Sequence, residues 1–471
     1  MSTIDVQGRY LIHAGDSLSF IGETAFDFIA RPSGKPSELA IRGGVAVDFS
    51  AATGSQTCIV GTSDQGPARL DIAQGGVLSI IGQPADQGDT WGFILAADGS
   101  RVVNRGLIEA QGGAVIGGMV HGADSRLVNV GQVELTGDTV FGLITGGESP
   151  TLVNRGDLEV DGESTGRGVM LLSHTRFNNT GQISVHGASE SVAVYVPGDG
   201  SDIRNSGTIQ ATYDGEDEGG SLGIVYSPWG GLDRVFNSGL ISADVAIRTI
   251  DSNLVLINIG EIDGQVSLFL GTDLIRNDGV IDGDISLGVG DDRYFGAQGS
   301  HLGVITGDLG NDRLVGGTGG DLLYGDGVTA ETYDGADLLK GGRGEDSLHG
   351  GGGADTLWGG ADADQLHGGA GADVFAYAKA SDSVAGHADF ITDLEASDRI
   401  DLSAIDADAT QAGDQAFVLV SALDGHAAQA ALSYDVGANL TTLSLDTDGD
   451  GAADTLIHLA GDQTGFTGLV L

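Results

Sequence analysis

The chain has 471 residues, with 82 glycines, 7 prolines, one cysteine and a formal net charge of −46. So acidic a sequence shows no Lys/Arg patch for phosphate, which argues against nucleic acid as a partner. With 40 % hydrophobic residues it is not a disordered acidic tail either, because such tails lack the apolar surface needed to fold.

Glycine at this level, without a collagen period, implies many tight turns that need positive φ or close backbone approach. Cys58, in Thr57-Cys58-Ile59-Val60, reads as a small buried apolar residue and cannot form an intramolecular disulfide. Cations are left as the means of stabilising a self-repelling chain. Residues 1–20 lack a basic segment followed by an apolar one, so no Sec-type leader is expected. No stretch reaches the roughly 18–20 apolar residues of a membrane helix.

Residues 1–100 repeat loosely and are expected to be an irregular solenoid or cap. Leu70-Asp-Ile72-Ala-Gln-Gly75-Gly-Val-Leu78-Ser79 echoes Tyr10-Leu-Ile12-His-Ala-Gly15-Asp-Ser-Leu18-Ser19, and 23–68 is expected to be an irregular rung.

Over 101–287 the pattern apolar-x-Asn-x-Gly-x-apolar recurs at Asn104, Asn129, Asn154, Asn179, Asn205, Asn237, Asn258 and Asn277. The spacings are 25, 25, 25, 26, 32, 21 and 19 residues. Two before each Asn stands Val102, Leu127, Leu152, Phe177, Ile203, Val235, Leu256 or Ile275. Four after it stands Ile108, Val133, Leu158, Ile183, Ile209, Ile241, Ile262 or Ile281. Strand, Asn-x-Gly turn and strand make one side of a coil, and such coils stack as a parallel β-helix. The asparagines then read as a structural ladder.

From 288 to 376 the period shortens to nine. Gly316-Gly-Thr-Gly-Gly-Asp321 is followed by Gly341…Asp346, Gly350…Asp355, Gly359…Asp364 and Gly368…Asp373, with weaker copies at Asp292, Asp312 and Asp337. An insertion occupies 328–334. The run resembles the G-G-x-G-x-D-x-U-x nonapeptide of RTX proteins, whose aspartates and glycine carbonyls are hard oxygen ligands suited to Ca²⁺. Successive turns alternate sides, so an ion is expected between turns n and n+2. At affinities of about 10⁻⁴–10⁻³ M each site adds roughly 1 kcal/mol in millimolar calcium. Five to seven sites then total about 5–10 kcal/mol, comparable to a domain's whole stability. The roll is expected to be unfolded inside the cell and to fold outside.

Residues 377–471 contain Asp389-Phe-Ile391-Thr-Asp393, Asp398-Arg-Ile400-Asp401 and Leu443-Ser-Leu445-Asp446-Thr-Asp448-Gly-Asp450-Gly. These resemble the C-terminal domain of serralysin-type RTX proteins. The resemblance implies export by a type I secretion apparatus, with its signal at the C-terminus. Asp446, Asp448 and Asp450 open like an EF-hand loop, although position twelve is Ile457 rather than Glu.

No H-E-x-x-H zinc motif stands among the 10 histidines. Gly15-Asp16-Ser17-Leu18 matches an esterase block but is better read as a rung. Gly162-Glu-Ser164-Thr-Gly166 meets G-x-S-x-G outside the strand–elbow–helix context. His121, His174, His186, Asp161 and Arg167 could furnish a lyase-like face, but nothing in their spacing singles them out.

The expected architecture is all-β: a parallel β-helix continuing into a calcium-binding parallel β-roll, with a β-rich C-terminal secretion-signal domain. The expected ligand is several Ca²⁺ ions. The expected function is an extracellular or cell-surface structural or adhesive protein of a biofilm matrix, surface layer or fibre, without enzyme activity. Uncapped solenoid ends suggest homo-oligomers or head-to-tail filaments. Matrix or cell-surface polysaccharide is the other expected partner. The alternatives are a secreted polysaccharide lyase or epimerase and a monomeric glycan-binding adhesin.

Overall fold

A computed structural model describes the backbone of strands at 4–6, 9–12, 17–20 and 24–28, then residues 37–42, 44–48, 56–61, 67–82, 88–215, 220–227, 231–296, 298–327 and 334–471. Gly15, Asp16 and residues 328–333 of the insertion lie outside the described residues. Two compact units divide the chain at Val266/Ser267.

The first unit is a right-through stack of parallel coils. One coil runs through Arg101–Asn104 and Leu107–His121, the next through Arg126–Asn129 and Gln132–Gly146, then Thr151–Asn154 and Asp157–Leu171. Equivalent residues pair in register: Val102 with Leu127, Leu152 and Phe177, and Ile108 with Val133, Leu158 and Ile183. Because strand side chains alternate, both sets point inward. None of the sixteen apolar positions flanking the asparagines is more than 1 % exposed. The long strands bend at Gly112, Gly137 and Gly162, which also stack in register. A Cβ on Gly137 would run into the Gly112 carbonyl.

The asparagines are buried, which is costly unless every polar atom is satisfied. Each amide Nδ2 donates to the Oδ1 of the next: Asn104 to Asn129, Asn154 and Asn179 at 2.8 Å per step, onward to Asn205, Asn237 and Asn258. Nδ2 also donates to a backbone carbonyl of the following coil, such as Gln132 or Leu240. The Oδ1 atoms of Asn104, Asn205 and Asn237 accept the N–H of Gly106, Gly207 and Gly239. The turn, the core and the coil period are therefore fixed by one residue type.

Two expectations change here. Within 23–68, Ser37–Ile41 and Gly44–Asp48 pair in register with Ala68–Ile72 and Val77–Ile81, so these strands continue the coil stack. Tyr10 and Leu70 echo each other because both pair with Leu39, one coil between them. Ile41 and Val45 of that middle coil pair with Ile72 and Leu78, so its connection is two residues shorter, which hid it. The second correction concerns charge. Although no basic patch is visible along the sequence, the outer face of the short strands gathers the exposed arginines 69, 101, 126, 176 and 234 on equivalent positions. Residues about 25 apart in sequence become neighbours when coils stack.

In the second unit the coils shrink and one buried apolar residue per turn suffices. Ile275, Tyr294, Leu314, Leu339, Leu357, Phe375 and Ile400 stack on one side. Ile285, Ile305, Leu323, Leu348, Leu366 and Ile391 stack on the other. The C-terminal strands Gln429–Asp435, Leu440–Asp446 and Thr455–Ala460 form an antiparallel meander. Its last strand pairs with Asp389–Ile391, and Leu469–Val470 pairs with Arg399–Asp401. The expectation of an uncapped C-terminal end is thus corrected: the last coil of the roll is covered by strands on both sides.

Candidate calcium sites

Each nonapeptide places its aspartate just before a short strand whose inward Leu, or Tyr294 or Phe375 in its place, fills the core. Asp355, Leu357 and Gly359 give the pattern: aspartate in, Leu in, glycine turn. The second glycine of the turn needs positive φ, as at Gly351 (φ 110) and Gly360 (φ 116), which only glycine adopts without strain.

The aspartates form two rows. In one, Asp292 Oδ1 accepts the backbone N–H of Asp273 at 2.6 Å, and Asp312 that of Asp292 at 2.7 Å. The row continues through Asp337, Asp355, Asp373 and Asp398. In the other, Asp346, Asp364 and Asp389 accept the N–H of Asp321, Asp346 and Asp364 at 2.8, 2.9 and 3.0 Å. Each carboxylate therefore ties turn n+2 to turn n, the alternation expected from the sequence.

The second oxygen is left over. Oδ2 of Asp292, Asp312, Asp337, Asp346, Asp355, Asp364, Asp373 and Asp389 is buried without a hydrogen-bond partner. Buried orphan acceptors are uncommon and call for an explanation. Several of these oxygens converge with a carbonyl on the space beside a glycine that a Cβ would fill. Asp355 Oδ2 and the Gly368 carbonyl meet at Gly350, Asp337 Oδ2 and the Gly350 carbonyl at Gly325, and Asp312 Oδ2 and the Gly325 carbonyl at Gly307. At Gly316 the Gly341 carbonyl meets Asp321, whose Oδ2 accepts the Gly317 N–H at 2.6 Å. Asp346, Asp364 and Asp373 likewise crowd Gly341, Gly359 and Gly368.

Burial first, and neighbouring carboxylates second, push the acids upward: Asp337, Asp346 and Asp389 to about 8, and Asp292, Asp312, Asp355 and Asp364 to about 7. Asp373 rises to about 6, and Asp321 is also raised by burial. Orphaned carboxylate oxygens, carbonyls and no nitrogen or sulfur donor make a hard-oxygen set, which fits Ca²⁺.

Asp273, Asp389 and Asp398 extend the rows beyond the residues picked out from the nonapeptide. Their signal is the short Asp-x-apolar strand start, as in Asp389-Phe-Ile391 and Asp398-Arg-Ile400, without the glycine turn. Asp393 joins them by accepting the N–H groups of Gly368 and Gly369 at 3.0 and 2.7 Å. In the C-terminal loop, Asp446 and Asp448 group with Asp454 rather than Asp450. Asp450 instead accepts the Ala452 N–H at 2.7 Å within its own turn.

The lyase-like candidates are mostly committed elsewhere. Arg167 makes a two-nitrogen contact with Glu190 and lies over the rings of Phe141 and Tyr195. Ser164 Oγ donates to Asp138 at 2.5 Å. His174 Nδ1 lies 3.9 Å from Asp199, and His121 is exposed. Asp161 and His186, however, pair in register and line one shallow groove with Glu159, Ser184 and Thr212.

Comparisons with known proteins divide along the chain. The family described as Peptidase M10 serralysin C terminal matches residues 224–471. The BigA third pectate lyase-like domain matches residues 41–232. The chain is similar to Metalloprotease AprA of Pseudomonas entomophila (strain L48), 43 % identical over 98 residues, 21 % of this chain and 20 % of that protein. It is also 43 % identical over 88 residues to Metallopeptidase AprA of Pseudomonas marginalis, 18 % of this chain and 17 % of that protein. The match thus spans about a fifth of the length of these curated relatives.

Proposed function

The chain belongs to the Peptidase M10 serralysin C-terminal family, and on that premise we propose that it is a calcium-folded structural or adhesive protein working outside the cell after type I secretion. The observation that carries the reading is the double row of buried aspartates, each with one oxygen tying two coils together and most with the other orphaned. Asp292, Asp312, Asp337, Asp346, Asp355, Asp364, Asp373 and Asp389, with the Gly325, Gly350 and Gly368 carbonyls, would hold the ions. Bound Ca²⁺ supplies the positive charge that lets these carboxylates stay ionised in the interior. The Oδ1 hydrogen bonds set the coil spacing, and the Leu stacks exclude water from the carboxylates.

Without calcium the buried acids oppose folding. In the submicromolar calcium of a cytosol the roll stays open, and in millimolar calcium it closes, which suits a chain exported unfolded. The structural role is supported by how the remaining polar groups are used: the Asn ladder and the Arg167 contacts hold coils together. Electron microscopy of the purified protein with calcium and with chelator tests the reading. Ordered assemblies in calcium alone are expected, and dispersed monomers in both conditions would count decisively against it.

The groove with Glu159, Asp161 and His186 favours one second reading, a secreted enzyme acting on acidic polysaccharide. Turnover of a uronate polymer, lost in His186→Ala, would establish that reading in place of the first.

A further inference from the structure

The first unit carries two runs of like charge in register on different strands. On the outer side of the short strands, Arg69, Arg101 and Arg126 occupy consecutive coils in direct register. Arg155, Arg176 and Arg234 are also exposed, while Arg105 and Arg204 pair with Asp71 and Asp202, and Glu38 lies in register beside Arg69. Val103, Val128 and Val153 run between the arginine rows, only 7, 6 and 5 % exposed. On the outer side of the long strands, Glu109, Glu134 and Glu159 also occupy consecutive coils in direct register, with Asp157 and Asp161 exposed beside Glu159.

Like charges stacked on neighbouring strands, about 4.8 Å apart, repel. Arg69, Arg101, Arg126, Glu109, Glu134 and Glu159 have no ion-pair partner among the described residues. The two ladders have the same pitch, because both follow the coil repeat, and the same run of three. Staggering two copies by one coil sets Arg69 against Glu109, Arg101 against Glu134 and Arg126 against Glu159.

We propose that the arginine face of this unit docks on the glutamate face of a second copy, so that the first units of the copies associate side by side. The contact is heterologous: of two docked copies one keeps a free glutamate face and the other a free arginine face, so addition continues into a layer. The charge match, run length and common pitch favour this occupant over an anionic glycan, whose spacing nothing in the fold copies. The inference rests on the structural reading above and names the surface through which such a protein would assemble.

The test uses the full chain in millimolar calcium, followed by analytical ultracentrifugation and electron microscopy. Arg101→Glu/Arg126→Glu and Glu134→Arg/Glu159→Arg should each raise the concentration needed for assembly at least roughly tenfold. Mixing the two variants should restore association, since each supplies the face that the other lacks, and high salt should weaken the parent. Far-UV circular dichroism and an unchanged urea midpoint for the first unit check that both variants fold. If the parent assembles and the folded variants assemble equally well, the docking proposal is overturned while the structural reading stands. If the parent stays monomeric, both fail. A monomeric parent retained by polyuronate beads through Arg101 and Arg126 would assign the face to an anionic glycan instead.

Discussion

Asp355 Oδ1 accepts the backbone N–H of Asp337 at 2.8 Å, while its Oδ2 is buried without a partner. One carboxylate thus has two separable duties, and substitutions can divide them. Asp355→Asn keeps an acceptor for Asp337 but removes the negative charge. Asp355→Ala removes both. Calcium titration should show one site fewer in each variant, costing roughly 1 kcal/mol or somewhat more of stability in millimolar calcium. In chelator, Asp355→Asn should be at least as stable as the parent, because an uncompensated buried charge has gone. Equal losses for Asn in calcium and in chelator would contradict this division.

The raised acids give a pH dependence of definite sign. In the unfolded chain these carboxyls titrate near about 3.9, whereas Asp337, Asp346 and Asp389 titrate at about 8 when folded. Between those values the folded, calcium-free chain holds more protons than the unfolded one, so its stability falls as pH rises. Below the unfolded value the contribution is fully present. Urea midpoints in chelator should be higher in mild acid than in mild alkali. Calcium must displace the same protons, so its affinity should rise with pH, by about tenfold per unit for each proton displaced. A chelated midpoint that does not change with pH would refute the assignment.

Asp362 stands where the neighbouring repeats have glycine, and its φ is +84, against +108 at Gly344 and +125 at Gly353. A side chain there costs about 1–2 kcal/mol, partly offset by the Gly344 N–H that its Oδ2 accepts at 3.2 Å. Asp362→Gly should therefore raise the stability of the calcium-bound roll by about 0.5–1 kcal/mol. Thermal unfolding in calcium measures it, and a lower midpoint would show that the hydrogen bond outweighs the strain.

The Asn ladder should fail at a single rung. Asn154 accepts from Asn129 and donates to Asn179, both at 2.8 Å, inside a closed core. Asn154→Ala leaves a buried donor on one side and a buried acceptor on the other, costing about 2–4 kcal/mol. Denaturation of the first unit should weaken by that amount, with calcium binding unchanged.

Much of this was legible in the sequence because both repeats are written in one residue type each. The asparagines and their sixteen apolar flanks land where their spacing puts them, and Asp337, Asp355 and Asp373 alternate sides with Asp346 and Asp364. What was hidden depends on stacking. The arginine face comes from residues a whole coil apart, so no local window reveals it. Asp389 and Asp398 join the rows without the glycine turn that announces the others. Asp450 reads as a ligand by spacing, whereas the folded loop gathers Asp446 and Asp448 with Asp454, which the EF-hand spacing does not single out.

The ladder of asparagines also has a direction. All six amide-to-amide bonds run from Nδ2 of one coil to Oδ1 of the next. The orientation is not arbitrary, because Nδ2 must face carbonyls such as Gln132 and Oδ1 must face N–H groups such as Gly106. Aligned amide dipoles add and polarise one another, so the row behaves like a small bar magnet's electrical counterpart lying along the coil axis. The row thus runs from an Oδ1 terminus at Asn104 towards donors at Asn237 and Asn258, which gives the coil stack of the first unit a direction of its own.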